Sequence, residues 1–165
     1  MHPDISQLPS RVFYRGLLKD GPNMTEKTAR AWHASNMFGP YKFFNILRGQ
    51  ETQGPFHSLM NQAEVQVAVA LYARLRNEFS SVDFNFRVGV VSMYRAQIVE
   101  LRRAFESRFG ADITSQVDFN TVDGFQGQEK DVIILSCVRA GPGLQNVGFL
   151  SGTSRTLTLL GVCET

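Results

Sequence analysis

The sequence has few cysteines and no long apolar run, and both shortages restrict the class of protein. Cys137 and Cys163 are the only cysteines among 165 residues. They are too few for a disulfide scaffold and form no pair at metal-binding spacing, so we expect both to be reduced thiols. Polar residues interrupt every stretch before about 18 apolar residues accumulate, so no membrane span is predicted. The first residues, MHPD, lack the basic head and apolar run of a signal peptide, which favours a soluble, intracellular protein.

The residues that are present are typical of one globular domain. Hydrophobic residues make up 43% of the chain and charged residues 19%, which is enough for a hydrophobic core and excludes a disordered chain. The net charge of +2 is unevenly distributed, with 14 Lys and Arg against 9 Asp and Glu in residues 1–110 and 3 against 6 in residues 111–165. The basic part could bind a polyanion, or the charges could form a mixed, solvated surface.

Several residue types that often carry chemistry are not arranged to do so. The three histidines have no cysteine or carboxylate partner at ligand spacing, so no metal site is predicted: His2, His33 and His57. Ser136 lies inside an apolar run rather than at a strand-to-helix turn, so it is not expected to be a nucleophile. Trp32 could stack on a base, or it could fill a hydrophobic cluster near Phe38 and Tyr41.

The apolar residues predict two helices and three strands, of which the first and the last have a buried character. Residues 59–79 are predicted to form a helix, because an apolar residue recurs at every fourth position: Val67, Leu71, Leu75 and Phe79. A second helix is predicted after residue 95 from another apolar stripe: Ile98, Leu101, Phe105 and Phe109. Apolar runs predict strands at 86–92, 117–122 and 131–138. In the first third, which has the composition of extended pieces joined by loops, Phe13–Tyr14 and residues 41–46 are strand candidates.

This alternation of helices and buried strands predicts an α/β domain with a mainly parallel sheet. Ligands of such domains bind outside the carboxyl ends of the strands. Two turns, at residues 92–97 and 122–130, are therefore candidate binding segments.

The turn at residues 122–130 has the composition of a nucleotide or nucleic-acid contact. Gly124 and Gly127 would let the backbone approach a phosphate or a sugar closely. Gln126 supplies an amide, while Asp123 and Glu129 supply acceptors for a ribose hydroxyl. The alternative is a tight glycine turn whose charged residues are merely solvated.

Residues 122–139, VDGFQGQEKDVIILSCVR, closely resemble motif V of superfamily 1 helicases of the senataxin and nonsense-mediated-decay type. Three other segments resemble this family in the same order. MHPDIS at residues 1–6 is similar to the end of its QYRMHP motif, GPYKFFN at 39–45 to a segment of the senataxin branch, and VVSMYRAQ at 90–97 to its TPYxxQ motif. The resemblance extends from residue 1 to about residue 150.

The resemblance implies that residues 1–150 form a second RecA-like domain, the C-terminal half of a helicase motor. By matching positions, Gln126, Gly127 and Glu129 would contact the nucleotide, with Gly127 near the phosphates and Glu129 at the ribose. The residues implied for contact with single-stranded RNA or DNA are Ser92, Tyr94, Asp123 and Arg139. Arg139 could equally be a surface charge that caps the strand. Gln97 would orient the start of the following helix, and Met93 stands where the family usually has proline.

The chain also lacks parts that the family uses for hydrolysis. No Gly-x-x-x-x-Gly-Lys-Ser/Thr loop and no Mg²⁺-binding acidic pair of this kind is present in the sequence, so we expect no ATP hydrolysis by this chain alone and no catalytic residue in it. ATP and Mg²⁺ would bind only when an N-terminal RecA-like domain of the parent protein completes the site.

Residues 151–165 depart from the family pattern. Gly161 and Val162 stand where the last helicase motif has Thr and Arg, so the resemblance implies a RecA-like sheet that is incomplete at its C-terminus and followed by a divergent tail. The chain could alternatively be a noncatalytic interaction module or a gene fragment. The senataxin-like resemblance implies a nuclear location.

Overall fold

The computed structural model describes residues 1–140, apart from the side chain of Phe56. In chain order its helices and strands are α1 (Pro3–Phe13), α2 (Met24–Lys27), β1 (Thr52–Gln53), β2 (Leu59–Met60), α3 (Gln62–Glu78), β3 (Val88–Ser92), α4 (Arg95–Phe109), α5 (Ile113–Gln116), β4 (Val117–Thr121) and β5 (Val132–Ser136). Short 3₁₀ helices span Ala31–Ala34, Pro55–His57 and Asp123–Phe125. No helix within this part of the chain is long and apolar enough to cross a membrane.

A parallel sheet in the order β4-β3-β5 lies at the centre of the described residues. Its register pairs Ser92 with both Thr121 and Ser136, so the three strands end at the same level. This arrangement confirms the predicted α/β fold with a parallel sheet and helices beside it. The antiparallel pair of β1 and β2 was not predicted from the sequence.

Helices α3 and α4 pack against one face of the sheet. Val88 and Val90 of β3 point to this face, because alternate residues of a strand project to the same side. The ring of Tyr72 in α3 lies 5.3 Å from that of Phe105 in α4, and the ring of Phe105 lies 5.0 Å from that of Phe119 in β4. Each fully buried side chain of this kind contributes about 1.5–3 kcal/mol to the stability of the fold.

Both predicted helices are confirmed, but the buried stripe of α3 differs from the prediction. The buried residues of α3 are Val65, Ala68, Tyr72 and Leu75. Of the predicted stripe, Val67 and Leu71 are only half-buried, because they face a cavity rather than the sheet. The stripe of α4 is correct, since Ile98, Leu101 and Phe105 are buried and Phe109 packs against the same cluster.

The opposite face of the sheet is covered by the segment that connects β4 to β5, residues 122–131, which we call the crossing segment. Phe125 of this segment is fully buried and packs with Val91, Met93 and Val122. It lies directly over β3 at Gly89, where a Cβ atom would come within 2.5 Å of the Phe125 Cζ atom. Gly89 therefore makes room for the ring, and the ring fixes the segment to the sheet.

Both strand predictions in the first third are wrong. Phe13 ends helix α1 and Tyr14 is its C-cap. The helix forms because Pro3 occupies its first turn and the His2 Nδ1 atom accepts a hydrogen bond from the Asp4 backbone N–H at 3.2 Å. Residues 41–46 form no strand, because no described strand pairs with them and a strand needs a paired edge.

Trp32 is buried, and its ring contacts Phe79 and Phe84. Of the two alternatives predicted for Trp32, it therefore fills a hydrophobic cluster. Its ring is not available for stacking on a base. The predicted boundary at residue 150 and the predicted tail at 151–165, with Gly161, Val162 and Cys163, lie outside the described residues.

Candidate nucleotide and nucleic-acid interface

The two candidate turns begin at the carboxyl edge of the sheet, where the strands end side by side. One turn leads from Ser92 into α4, and the other leads from Thr121 into the segment that crosses to β5. A third segment, residues 137–140, follows Ser136 at the same edge. The edge therefore brings together the candidates Ser92, Tyr94, Asp123 and Arg139, as expected for a parallel sheet.

The turn after β3 is held by the side chain of Ser92. Ser92 is completely buried; its hydroxyl donates to the Ser136 carbonyl at 2.8 Å and accepts from the Tyr94 backbone N–H at 3.3 Å. A direct contact of this hydroxyl with nucleic acid would require these bonds to break, and the contact stays a prediction. Tyr94, the N-cap of α4, is half-exposed, while Met93 is buried against Phe125.

Arg139 is held in place by an acidic partner from another part of the chain. Its Nε atom lies 2.9 Å from the Glu51 Oε2 atom, which also accepts a hydrogen bond from the Ala140 backbone N–H at 3.2 Å. A phosphate at this position would compete with the Glu51 carboxylate for the guanidinium. Phosphate contact and strand capping by Arg139 stay predictions.

The two glycines of the crossing segment are favoured at their positions for different structural reasons. At Gly124 a Cβ atom would come within 2.3 Å of the Asn120 side chain, which also donates to the Gly124 carbonyl at 2.9 Å. Gly124 is thus required for packing. Gly127 has a φ of +81° and no other heavy atom within 4 Å of its Cβ position, so its backbone is open to a ligand and in a conformation that favours glycine.

The predicted nucleotide-binding residues lie on the crossing segment, away from the carboxyl edge, so the expectation that the whole turn at 122–130 lies at that edge is wrong. Gln126, Gly127 and Glu129 are all exposed. The segment must run the length of the sheet, about 13 Å for five-residue strands, because β5 begins at the amino edge. Lys130 marks that edge, since its Nζ atom donates to the Phe86 carbonyl at 2.8 Å and pairs with Asp118 near the start of β4.

The end of the crossing segment is fixed by Asp131. The Asp131 carboxylate accepts hydrogen bonds from the Arg30 Nη2 atom at 3.0 Å and from Arg87. Burial alone would raise the pKa of Asp131, but the hydrogen bonds and positive charges of Arg87 and Arg30 lower it below its usual range. The carboxylate therefore stays charged and connects the chain before β3 to the start of β5.

A buried polar cluster behind the carboxyl edge was not predicted. It consists of Asn61 and Glu64 at the start of α3, Gln97 in α4 and Ser136 at the end of β5. Asn61 caps α3 by accepting from the Glu64 backbone N–H at 3.3 Å. An Asn followed three residues later by Glu, just before an apolar run, is the sequence signal that could have identified this helix start.

A cavity of about 1010 Å³ opens between α3, β5 and the segment that precedes β1. Its walls include Val67 and Leu71 of α3 and Ile134 of β5, with Phe43 and Leu47 on the opposite side. Among the described residues that line it, none belongs to the predicted nucleotide group. Residues 1–140 contain no cluster of three or more His, Cys, Asp or Glu side chains that could hold a metal ion.

A family model and individual known proteins both match most of this chain. The sequence model of the family described as AAA domain matches residues 1–160. The chain is 45% identical to helicase SEN1 of Saccharomyces cerevisiae over 157 residues, which cover 94% of the chain and 7% of that protein. It is 31% identical to the probable helicase senataxin of Homo sapiens over 157 residues, 94% of the chain and 6% of that protein. The chain thus spans less than a tenth of the length of these relatives.

Proposed function

Since this chain belongs to the AAA-domain family and is a senataxin-type superfamily 1 helicase domain, we propose that it acts as the second RecA-like domain of an ATP-dependent helicase. The single observation that carries this proposal is the level carboxyl edge of the sheet, where the turns after all three strands begin side by side. Such an edge can follow a nucleic-acid backbone, while the exposed crossing segment faces a nucleotide held by another domain.

The nucleotide contact is proposed for Gln126, Gly127 and Glu129. The open backbone at Gly127 fits a phosphate, because nothing occupies the space that a side chain would fill. The exposed Glu129 carboxylate can accept from a ribose hydroxyl, and the Gln126 amide can donate or accept beside it. Mg²⁺ and the phosphates of ATP would be held mainly by an N-terminal RecA-like domain, which supplies the phosphate-binding loop.

The nucleic-acid contact is proposed for the carboxyl edge. Tyr94 presents a half-exposed ring for stacking, Asp123 is exposed at the start of the crossing segment, and Arg139 carries the positive charge for a phosphate. Ser92 would act through the backbone of the turn that it holds. The partner class is single-stranded RNA or DNA, and a nuclear parent protein is part of the same proposal.

Binding of labelled single-stranded RNA, followed by fluorescence polarisation at several salt concentrations, tests this interface. We expect weak binding that decreases steeply with salt, because phosphate contacts release counterions. Tyr94→Ala should reduce the affinity by at least about fivefold, since stacking on an aromatic ring is worth about 1–3 kcal/mol per base and 1.4 kcal/mol corresponds to about tenfold. Tyr14→Ala, which removes an exposed tyrosine at the end of α1, is the matched control. Absence of binding by the unaltered chain would refute this function.

Hydrolysis is tested separately. We expect no ATP turnover above a buffer control, with or without single-stranded RNA, because the sequence contains no phosphate-binding loop. Sustained turnover by the purified chain would contradict the proposed dependence on a second domain.

A noncatalytic protein-interaction module is the second candidate function. It is favoured by the exposure of Phe43 and Leu47 beside the cavity, because clustered exposed apolar residues mark interaction surfaces. Absence of RNA binding together with reversible self-association would support this alternative.

A further inference from the structure

The carboxylate of Glu64 lies between segments that the proposed function uses. Its Oε2 atom accepts from the Ser136 hydroxyl at 2.5 Å and from the Val138 backbone N–H at 3.0 Å. Its Oε1 atom accepts from the Asn61 Nδ2 atom at 3.2 Å. One side chain on α3 therefore fixes the end of β5 and the segment that leads to Arg139.

Glu64 reaches β5 because another residue has taken over its ordinary capping role. A glutamate at the third position of a helix usually accepts from the backbone N–H of the N-cap residue. Here the Asn61 backbone N–H donates instead to the Gln97 Oε1 atom at 2.8 Å. This exchange brings the Gln97 side chain of α4 into the same cluster and leaves the Glu64 carboxylate available to β5.

Ser136 joins this cluster to the turn after β3. Its hydroxyl accepts from the Gln97 Nε2 atom at 2.8 Å while it donates to Glu64. Its backbone carbonyl accepts from the Ser92 hydroxyl at 2.8 Å, and that hydroxyl accepts from the Tyr94 backbone N–H. Ser136 thus connects Glu64, which it contacts through its hydroxyl, to the turn that carries Tyr94, which it contacts through its backbone carbonyl.

The cluster requires an acceptor with two oxygens at position 64. The Asn61 amide, the Ser136 hydroxyl and the Val138 backbone all direct hydrogens toward it. A neutral amide would place two hydrogens of its own against at least one of these donors. Glu64→Gln therefore conserves size but loses part of the network.

We propose that Glu64 is a positioning residue that holds the turn after β3 and the segment after β5 in one arrangement, and so sets the affinity of the carboxyl edge for single-stranded nucleic acid. The effect on affinity rests on the proposed function. The arrangement itself does not, because it is defined by contacts within this chain.

The test uses the full 165-residue chain with Glu64→Gln, and with Glu78→Gln at the exposed far end of α3 as the control. We expect Glu64→Gln to weaken binding of oligouridine RNA at least fivefold. We also expect the slope of log affinity against log salt to decrease by about one, as for loss of one phosphate contact. Glu78→Gln should alter neither quantity. Affinity and salt slope equal to those of the unaltered chain, in a folded Glu64→Gln variant, would overturn the proposal.

Ser136→Ala provides an independent variant that keeps the Glu64 bond to the Val138 backbone. If the two side chains act through one network, the double variant should lose no more than about the larger single loss. If the fold-loss of affinity in the double variant equals the product of the two single fold-losses, the residues act separately and the proposal is contradicted. Ser136→Ala also serves if Glu64→Gln fails to fold.

Backbone amide spectra distinguish failure of this proposal from failure of the proposed function. We expect the amide signals of Tyr94 and Val138 to shift in Glu64→Gln and to stay in place in Glu78→Gln, without any nucleic acid present. If the unaltered chain binds no RNA but these signals shift, the proposed function fails and the arrangement held by Glu64 stands. Unchanged signals of Tyr94 would overturn it.

Discussion

At the scale of single residues, Gly89 shows how a missing side chain can organise a binding segment. The position is fully inside β3, where glycine normally weakens a strand. Here its lack of a Cβ atom admits the Phe125 ring, which anchors the segment that carries Gln126 and Gly127. The glycine thus acts on the candidate site without facing it.

Gly89→Ala should destabilise the fold by about 1–3 kcal/mol, because an added methyl group in a packed site forces its neighbours to move. The clash is with the Phe125 Cζ atom at 2.5 Å and the Ile133 Cδ1 atom at 2.9 Å. Urea unfolding measures the effect. Gly21→Ala is the control, because a methyl group there meets only Met24 at 3.7 Å. Equal midpoints for the two variants would contradict the anchoring role of Phe125.

Cys137 offers a second prediction at this scale. Partial burial and the nearby Glu64 carboxylate raise the pKa of the Cys137 thiol. In a Cys163→Ser background, alkylation at pH 8 should be slower than that of a free cysteine, and Glu64→Gln should accelerate it. An unchanged rate in Glu64→Gln would show that the carboxylate does not act on the thiol.

At the scale of elements, each edge of the sheet is held by a carboxylate: Glu64 acts at the carboxyl edge and Asp131 at the amino edge. Asp131 connects Arg30, which precedes a 3₁₀ helix, with Arg87, which precedes β3. The position at which β5 begins is thereby fixed relative to β3. The crossing segment is held at its middle by Phe125 and at its end by Asp131.

Asp131→Asn should lower the free energy of unfolding at pH 7 by about 1.5–3 kcal/mol, the usual value of hydrogen bonds to a charged group. The pKa of Asp131 is lower in the folded chain than in the unfolded chain, so its stabilisation is complete above the unfolded pKa of about 3.9. It is lost as pH falls through the folded pKa. The difference between the variant and the unaltered chain should therefore disappear in acid. Asp112→Asn at an exposed position is the control, and a difference independent of pH would contradict the account.

The elements also show which features the sequence can predict. Helices α3 and α4 and strands β3 to β5 were predicted because their apolar patterns are local and strong. The strand predicted at Phe13–Tyr14 is wrong, because the His2 cap and Pro3 start a helix that continues to Phe13. The cluster of Glu64 and Ser136 joins residues 72 positions apart, and no local pattern in a single sequence encodes such a pairing. Gly127 and Glu129 are exposed, and their contact with a nucleotide stays a prediction.

At the scale of the whole molecule, the described residues leave a large apolar surface uncovered. Phe43 is 78% exposed and Leu47 is 88% exposed, and both adjoin the cavity beside β5. Apolar patches of this kind promote association.

Replacing both residues, Phe43→Ser with Leu47→Ser, should reduce self-association in sedimentation velocity and leave the melting temperature nearly unchanged, since surface substitutions alter stability by about 0.5 kcal/mol or less. Lys42→Ser, at an exposed position directly before Phe43, is the control. A large loss of stability in the double variant would show that these side chains pack against the rest of the protein.

The packing of Phe125 against the sheet also limits how the crossing segment can move. Phe125 packs into the sheet and Asp131 is held by Arg30 and Arg87, so residue 125 cannot shift along the sheet unless its ring leaves this site. A movement of the segment at this point is therefore coupled to repacking of Val91, Met93 and Val122 around the ring.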